Sequence, residues 1–428
     1  MKTKPKATKT TDSAFQFHNK VLHVDGVSLA DVAAEFSTPA YVYSRQQIVN
    51  AYTQYDSAFP TTNHLVCYSV KANPARAILE TFASLGAGFD IVSGGELARV
   101  LQAGGDAERI IFSGVGKMDD ELDAALAAGI RCFNIESASE LNRLDQLARK
   151  QNRKAPIAFR VNPGIATDTH PHIATGGSDH KFGIPRSQIP GLAAAAASLS
   201  SVSLQGLAMH IGSQMTDLEP LVVAATDLRE LAGELRASGI GLKHLDLGGG
   251  LGVGDQAPAR QDYVAALTGV FGKEDSYEIV IEPGRSLVAA SGVLLTRVLQ
   301  IKHSDAKSFV IVDSGMNDLL RPALYGAHHD IVNVDSSGKP PVGTYDVVGP
   351  ICETADTLGS GRRLAVREGS VLAIMDTGAY GATMSSHYNS RPRCAEIMID
   401  NGVARLSRQR ETIDELSRKE KFMTQKKQ

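Results

Sequence analysis

The sequence is short of several things, and each shortage narrows what it can be. It has four cysteines in 428 residues, Cys67, Cys132, Cys352 and Cys394, widely separated and with no CxxC pair. That spacing argues against a disulfide scaffold and a structural zinc site, and it fits a reducing cytoplasm. No apolar run approaches the roughly 20 residues that cross a bilayer. A net charge of −3 offers no basic excess for nucleic acid. The first thirteen residues carry four lysines but no apolar core of a secretory signal, so they read as a solvated tail. The polar end from Ser417 onward reads the same way. No metal ligand set stands out, and no repeat appears beyond the one described next.

What is present is an ordinary globular composition, 43% apolar and 21% charged with 40 glycines. The length suits two domains and a large core. Between about residues 65 and 283 a short apolar strand followed by a helical pattern recurs eight times. The strand candidates are Leu65–Val70, Phe89–Val92, Ile110–Ser113, Cys132–Ile135, Ile157–Val161, Gly206–His210, His244–Leu247 and Glu278–Ile281. Amphipathic stretches such as Ala75–Leu85, Gly95–Gln102, Asp119–Ala128 and Ser137–Arg149 separate the first of them, with Gly86, Gly104 and Gly129 placed as C-caps. Eight such units predict an α/β fold, a (β/α)8 TIM-like barrel, with an open doubly wound sheet as runner-up. Lys71, Ser113, His210, the Gly248 turn and Glu282 all fall at strand ends, which favours the barrel.

From about Ser291 short strands follow one another: Val293–Lys302, Phe309–Asp313, Asp330–Val334, Tyr345–Val348, Val371–Asp376 and Ala395–Ile399. They predict a mainly-β domain. The expected layout is a flexible tail over residues 1–14, the barrel over 45–290 and the β-domain over 291–428. Residues 15–44, with strand-like alternation over Phe17–Val27, are expected to join the β-domain.

Four stretches carry chemistry. Lys71 ends the run Leu65–Val70 just before Pro74. A strand-end lysine is more often a solvated charge, but one partly withdrawn from water can act as an amine nucleophile. Gly248-Gly249-Gly250-Leu251-Gly252 lets backbone N–H groups approach an anion, or is simply a tight turn. It is not a P-loop, since no Gly-Lys-Ser/Thr follows. Glu282-Pro283-Gly284-Arg285 pairs an acid with a base across a rigid turn, either as a rim ion pair or as partners for a protonated ring nitrogen and a carboxylate. His210, in His210-Ile-Gly-Ser213-Gln, is either a packed rim histidine or an imidazole laid against a flat cofactor.

Together Tyr68-Ser-Val-Lys71-Ala-Asn, His210-Ile-Gly-Ser-Gln, Gly248-Gly-Gly-Leu-Gly and Glu282-Pro-Gly-Arg285 resemble the fold-type III decarboxylases that use pyridoxal phosphate. Thr175–Gly183, Arg321-Pro-Ala-Leu-Tyr325, Gly349-Pro-Ile-Cys352-Glu353 and Ala379-Tyr380 resemble one branch, the diaminopimelate decarboxylases. The resemblance runs from about Phe17 to Met398. It implies that Lys71 is the Schiff-base lysine and that His210 stacks on the cofactor ring. Ser213, Gly250, Gly284 and Arg285 match cofactor-binding positions, and Glu282 matches the acid facing the pyridine nitrogen. Arg285, Arg321 and Tyr325 match substrate-carboxylate ligands, Glu353 a ligand of the distal amino group, and Tyr380 a residue touching cofactor and substrate. Cys352 matches a proton donor that reaches in from the partner of a homodimer with a shared active site. One departure is visible: Thr354-Ala355 stands where the family pattern has Ser-Gly.

The implied reaction is decarboxylation of meso-diaminopimelate to lysine in the cytoplasm, with neither nucleic acid nor membrane as partner. Three alternatives stay open on the residues alone. One is a same-fold decarboxylase of another amino acid or a carboxylated polyamine. A second is an amino-acid racemase, against which Glu282 speaks. The third is a relative that has lost the cofactor, against which Lys71, Glu282 and Cys352 speak jointly.

Overall fold

The structure, a computed structural model, describes residues 14–60, 63–165, 180–272, 275–338 and 340–421. The lysine-bearing N-terminal tail, Thr175–Asp179 of the glycine-containing stretch and the last seven residues lie outside the described residues. The chain forms two compact units, one built on Ile48–Val288 and one on residues 14–47 and 289–421.

The first unit is a closed parallel barrel. Its strands are β1 (His64–Ser69), β2 (Gly88–Ile91), β3 (Ile110–Phe112), β4 (Cys132–Ile135), β5 (Ala155–Asn162), β6 (Val202–Ala208), β7 (His244–Asp246) and β8 (Glu278–Ile281). Each pairs in parallel with the next, and β8 pairs with β1 to close the ring. The open sheet considered above is therefore not the fold. Parallel strands covered on both faces need continuous apolar runs, which is why the period was visible in the sequence. Helices such as Arg76–Ser84, Gly94–Gln102, Asp119–Ala128 and Ala138–Lys150 link the strands. Ser93 and Ser137 cap two of them, accepting from the N–H groups of Glu96 and Glu140.

Side chains alternate across a strand, so every second residue enters the barrel. Leu65, Cys67, Ile111, Cys132, Ala158 and Val280 form one apolar cluster inside it. Near the floor, Gly206 leaves room for the buried ring of His244; a Cβ there would lie 2.4 Å from Nε2. One step higher the same alternation brings in polar side chains, described below.

The second unit is a mainly-β structure. Its main path runs Thr357–Ala365, Val342–Val348, Ser308–Val312, Gly292–His303, Ala40–Ser44, Ala395–Asp400 and Val403–Arg408. Val371–Ile374 also pairs with Gly292–His303, and Ile331–Asn333 pairs with Val371–Ile374. Strands Phe15–His18 and Val21–Val24 form an antiparallel pair in this unit, and the Leu22 N–H donates to Val334 O at 2.7 Å. The core includes Phe15, Leu22, Leu29, Val42, Val293 and Ile397.

Three strands of this unit were not foreseen. Ala40–Ser44 lies wholly buried beside Gly292–His303. Thr357–Ala365 holds two glycines and two arginines, a poor strand sequence that pairing with Val342–Val348 overrides. Val403–Arg408 is an edge strand held by the turn after Ala395–Asp400. Strand β6 ends at Ala208, so His210 lies two residues beyond it rather than within it.

Candidate active site at the barrel mouth

Above the apolar layer the inward positions become Ser69, Asp90, Asn134, Arg160, Asp246 and Glu282, each buried. Lys71 follows β1 in a tight turn, Val70–Ala72. The Tyr68 hydroxyl donates to Asn73 O at 2.9 Å, and Asn73 Oδ1 accepts the Ala75 N–H at 3.0 Å. These bonds fix the turn that delivers Lys71 over the barrel. Its Nζ lies 2.5 Å from Asp90 Oδ2 and 3.3 Å from Ser69 Oγ. A cavity of about 150 Å³ opens there, lined among others by Lys71, Ser113, Asn134, Arg160, His210 and Glu282.

Three carboxyl groups share this small volume with different protonation. Burial pushes Asp90 up, but the Lys71 ammonium and the hydrogen bonds from Lys71 and Ser69 outweigh it and hold Asp90 below its ordinary value. Burial raises Asp246 to about 6. Glu282 is driven well above the carboxylate range by burial, then by the charges of Asp246 and Asp90. These surroundings favour its protonated form. His210 is lowered to about 3, by burial first and then by Lys71 and Arg160, so its ring is neutral.

His210 Nδ1 accepts the Gly249 N–H at 3.3 Å, tying the imidazole to the glycine turn. That turn presses on the chain around Ser213: Gly250 has φ +116°, and a Cβ on it would lie 2.6 Å from Gly212 O. Arg285 donates to Ser213 Oγ from Nε at 3.3 Å and Nη2 at 3.0 Å. Gly284 sits against β1, where a Cβ would come 2.9 Å from Ser69 Cβ. Arg160 is held by Glu136 at 2.8 Å, and its guanidinium lies 4.9 Å from the centre of the Phe182 ring.

The structure thus brings Lys71, His210, Ser213, Gly250, Glu282, Gly284 and Arg285 to one barrel mouth. Asp90, Asn134, Arg160 and Asp246 join them at the mouth without standing out as site residues in the sequence. Their signal was a single polar residue at an inward position of an apolar run, as in Gly-Phe-Asp90-Ile and His-Leu-Asp246-Leu.

The other five expected site residues belong to the second unit. Arg321 and Tyr325 begin and end a single helical turn, four residues apart, which Gly326 closes with φ +60°. Tyr380 has φ +56° and is half-buried. Cys352 and Glu353 lie exposed on a turn organised by buried Asp356. Asp356 Oδ2 accepts the Ile351 N–H at 2.7 Å and Oδ1 the Met316 N–H at 2.6 Å. Thr354 and Ala355 have no left-handed φ, so the turn makes no demand for glycine there. Cys67, Cys132 and Cys394 are buried, which pushes their thiols up; Cys352 is the exposed cysteine.

Residues 45–289 match the family model of the pyridoxal-dependent decarboxylases, pyridoxal binding domain. The chain is 47% identical over 414 residues to the diaminopimelate decarboxylase of Pseudomonas aeruginosa, covering 96% of this chain and 99% of that one. It is 44% identical to that of Haemophilus influenzae, over 94% of this chain and 98% of the relative. The chain belongs to the diaminopimelate decarboxylases. The diaminopimelate decarboxylase of M. jannaschii, solved in complex with L-lysine, superposes with a TM-score of 0.91 at 36% identity over 96% of this chain and 98% of that one. The Helicobacter pylori enzyme, also with L-lysine, gives 0.88 at 39% identity over 91% and 98%.

A diaminopimelate decarboxylase of this family requires pyridoxal phosphate, and the chemistry at the mouth fits that group. An aldehyde needs an amine, which Lys71 offers. A ring nitrogen needs an acid to face it, and Glu282 is a buried carboxyl in surroundings that favour its protonated form. A flat ring suits the neutral His210 imidazole, and a phosphate suits the Ser213–Arg285 donors beside a close-packed glycine turn. Asn134 Oδ1 is buried there with no partner among the described residues, a polar atom left over for a ligand.

Proposed function

We propose that this chain decarboxylates meso-2,6-diaminopimelate to L-lysine and CO2 with pyridoxal phosphate. The observation that carries the reading is one cavity lined by an amine, a buried carboxyl and a neutral imidazole, beside an anion-donor set. When bound, the cofactor supplies an electron sink for the pair left behind as CO2 departs.

The residues divide the remaining work. Lys71 holds the cofactor through its amine. Glu282 keeps a proton for the ring nitrogen, and its buried position makes loss of that proton unfavourable. His210 supports the ring without adding charge. Ser213, Gly250, Gly284 and Arg285 hold the phosphate end. Arg285, Arg321 and Tyr325 receive substrate carboxylate, the two guanidiniums by forked charge-assisted contacts. Arg321 suits a substrate with a carboxylate at its far end, which ornithine lacks. Glu353 receives the distal ammonium, and Tyr380 contacts both cofactor and substrate. Cys352 delivers a proton to the α-carbon as general acid.

Cys352 and Glu353 act from the partner subunit of a homodimer in this reading, which their exposed turn supports. The enzyme works in the cytoplasm, where its scattered free cysteines are kept reduced. Residues 45–290 are the cofactor-binding domain, and 291–428 with 15–44 the second domain. Among the described residues no helix is long and apolar enough to cross a membrane.

The test is to incubate purified protein with pyridoxal phosphate and meso-diaminopimelate and to follow lysine and CO2. One lysine is expected for each CO2 released. No lysine, or a preference for ornithine, would overturn the assignment.

A further inference from the structure

The turn carrying Cys352 and Glu353 is gripped by a second loop through two side chains that have no role so far. Cys352 donates its backbone N–H to Asn389 Oδ1 at 3.0 Å. The Tyr388 hydroxyl donates to Glu353 Oε1. Two adjacent residues of one loop therefore each hold one of two adjacent residues on the other.

The gripping loop is itself anchored on both sides. The Ser386 N–H donates to Asn317 O at 2.8 Å, and the Ser390 N–H closes the loop onto His387 O at 2.8 Å. His387 Nε2 lies 2.5 Å from Glu411 Oε2, which also accepts the Arg393 N–H at 3.0 Å. Arg393 Nη2 returns to Ser385 O at 3.3 Å. Asn389 and Ser390 both have φ +54°, a region that asparagine tolerates better than most residues. Tyr388 and Asn389 are exposed, so core packing does not account for their placement. What they do touch is the pair proposed to carry proton and ammonium.

We propose that Asn389 and Tyr388 are positioning residues for the reaction. Asn389 fixes the main chain at Cys352 and so aims the thiol; Tyr388 fixes the Glu353 carboxylate that receives the distal ammonium. This rests on the roles given to Cys352 and Glu353 above. The two bonds act on different steps, so their losses differ in kind. Loss of the Asn389 acceptor loosens proton delivery and lowers kcat. Loss of the Tyr388 hydroxyl frees the Glu353 rotamers and weakens binding of the distal amine.

The experiment uses the full chain loaded with pyridoxal phosphate. Asn389→Gly suits the left-handed backbone yet lacks the acceptor; Asn389→Leu is a second variant with a side chain of similar size. Either is expected to lose kcat about tenfold with KM within twofold of wild type. Asn389→Asp, which keeps an acceptor oxygen, recovers most of the rate. Tyr388→Phe raises KM about fivefold, and raises the Kd for L-lysine by calorimetry to a similar degree. Asn389→Gly leaves that Kd unchanged. In a Cys352→Ala background, Asn389→Gly adds no further loss of kcat. A wild-type kcat in both acceptor-less variants overturns the proposal, and so does a tenfold loss that persists without Cys352. A normal rate in Cys352→Ala alone instead removes the proton-donor reading, whatever residue 389 does.

Discussion

Lys71 Nζ lies 2.5 Å from Asp90 Oδ2, and the two partners sit in unequal surroundings. The lysine side chain is 34% exposed and the aspartate 0%. A carboxylate this close stabilises the ammonium, whereas attack on an aldehyde needs the neutral amine. Asp90 therefore sets the pH at which Lys71 becomes available. In Asp90→Asn, the pH at which cofactor association reaches half its maximal rate moves down, since the carboxylate that favours the ammonium is gone. Stopped-flow absorbance of pyridoxal phosphate association measures this. A profile that does not move would show that the ion pair does not govern loading.

Burial and two neighbouring carboxylates oppose the ionisation of Glu282. Glu282→Gln keeps the size and can still hydrogen-bond a ring nitrogen, but it cannot share a proton with one. Cofactor loading, read by visible absorbance, is expected to persist while kcat falls about 100-fold. A wild-type kcat in this variant would take the proton-holding role away from Glu282.

Glu96 gives a pH signature independent of catalysis. Its N–H binds Ser93 Oγ at 3.2 Å, and its Oε2 accepts the Val92 N–H at 2.7 Å in the first turn of Gly94–Gln102. Burial, the largest influence, raises it to about 7 from 4.5. The folded barrel thus binds this proton more tightly than the unfolded chain. The resulting stability is full below pH 4.5 and is lost as pH rises through 7. Between pH 5 and 8 the wild type should lose up to about 2.5 kcal/mol relative to Glu96→Gln. Denaturant unfolding of both proteins at the two pH values measures the difference. Parallel curves would contradict it.

The barrel was legible because buried parallel strands announce themselves as apolar runs at a regular period. Strand-end glycines and Lys71 stood out for the same reason: they interrupt that pattern where a barrel keeps its chemistry. Asp90 and Asp246 were harder to read. A charge inside an apolar run means little until the inward face is known, and only closure of the barrel shows that the two share a layer with Glu282. Thr357–Ala365 was missed because its partner strand, not its own glycine-rich sequence, makes it extended. The bond from Cys352 to Asn389 spans 37 residues and leaves no local mark on either segment.

In the proposed function one amine, Lys71, holds pyridoxal phosphate and makes the reaction possible. Lys71→Ala tests it directly, through the visible absorbance of bound cofactor and CO2 release from meso-diaminopimelate. The variant is expected to fold, with a melting temperature near that of the wild-type apoprotein, yet to show neither signal. Retained turnover in Lys71→Ala would contradict it.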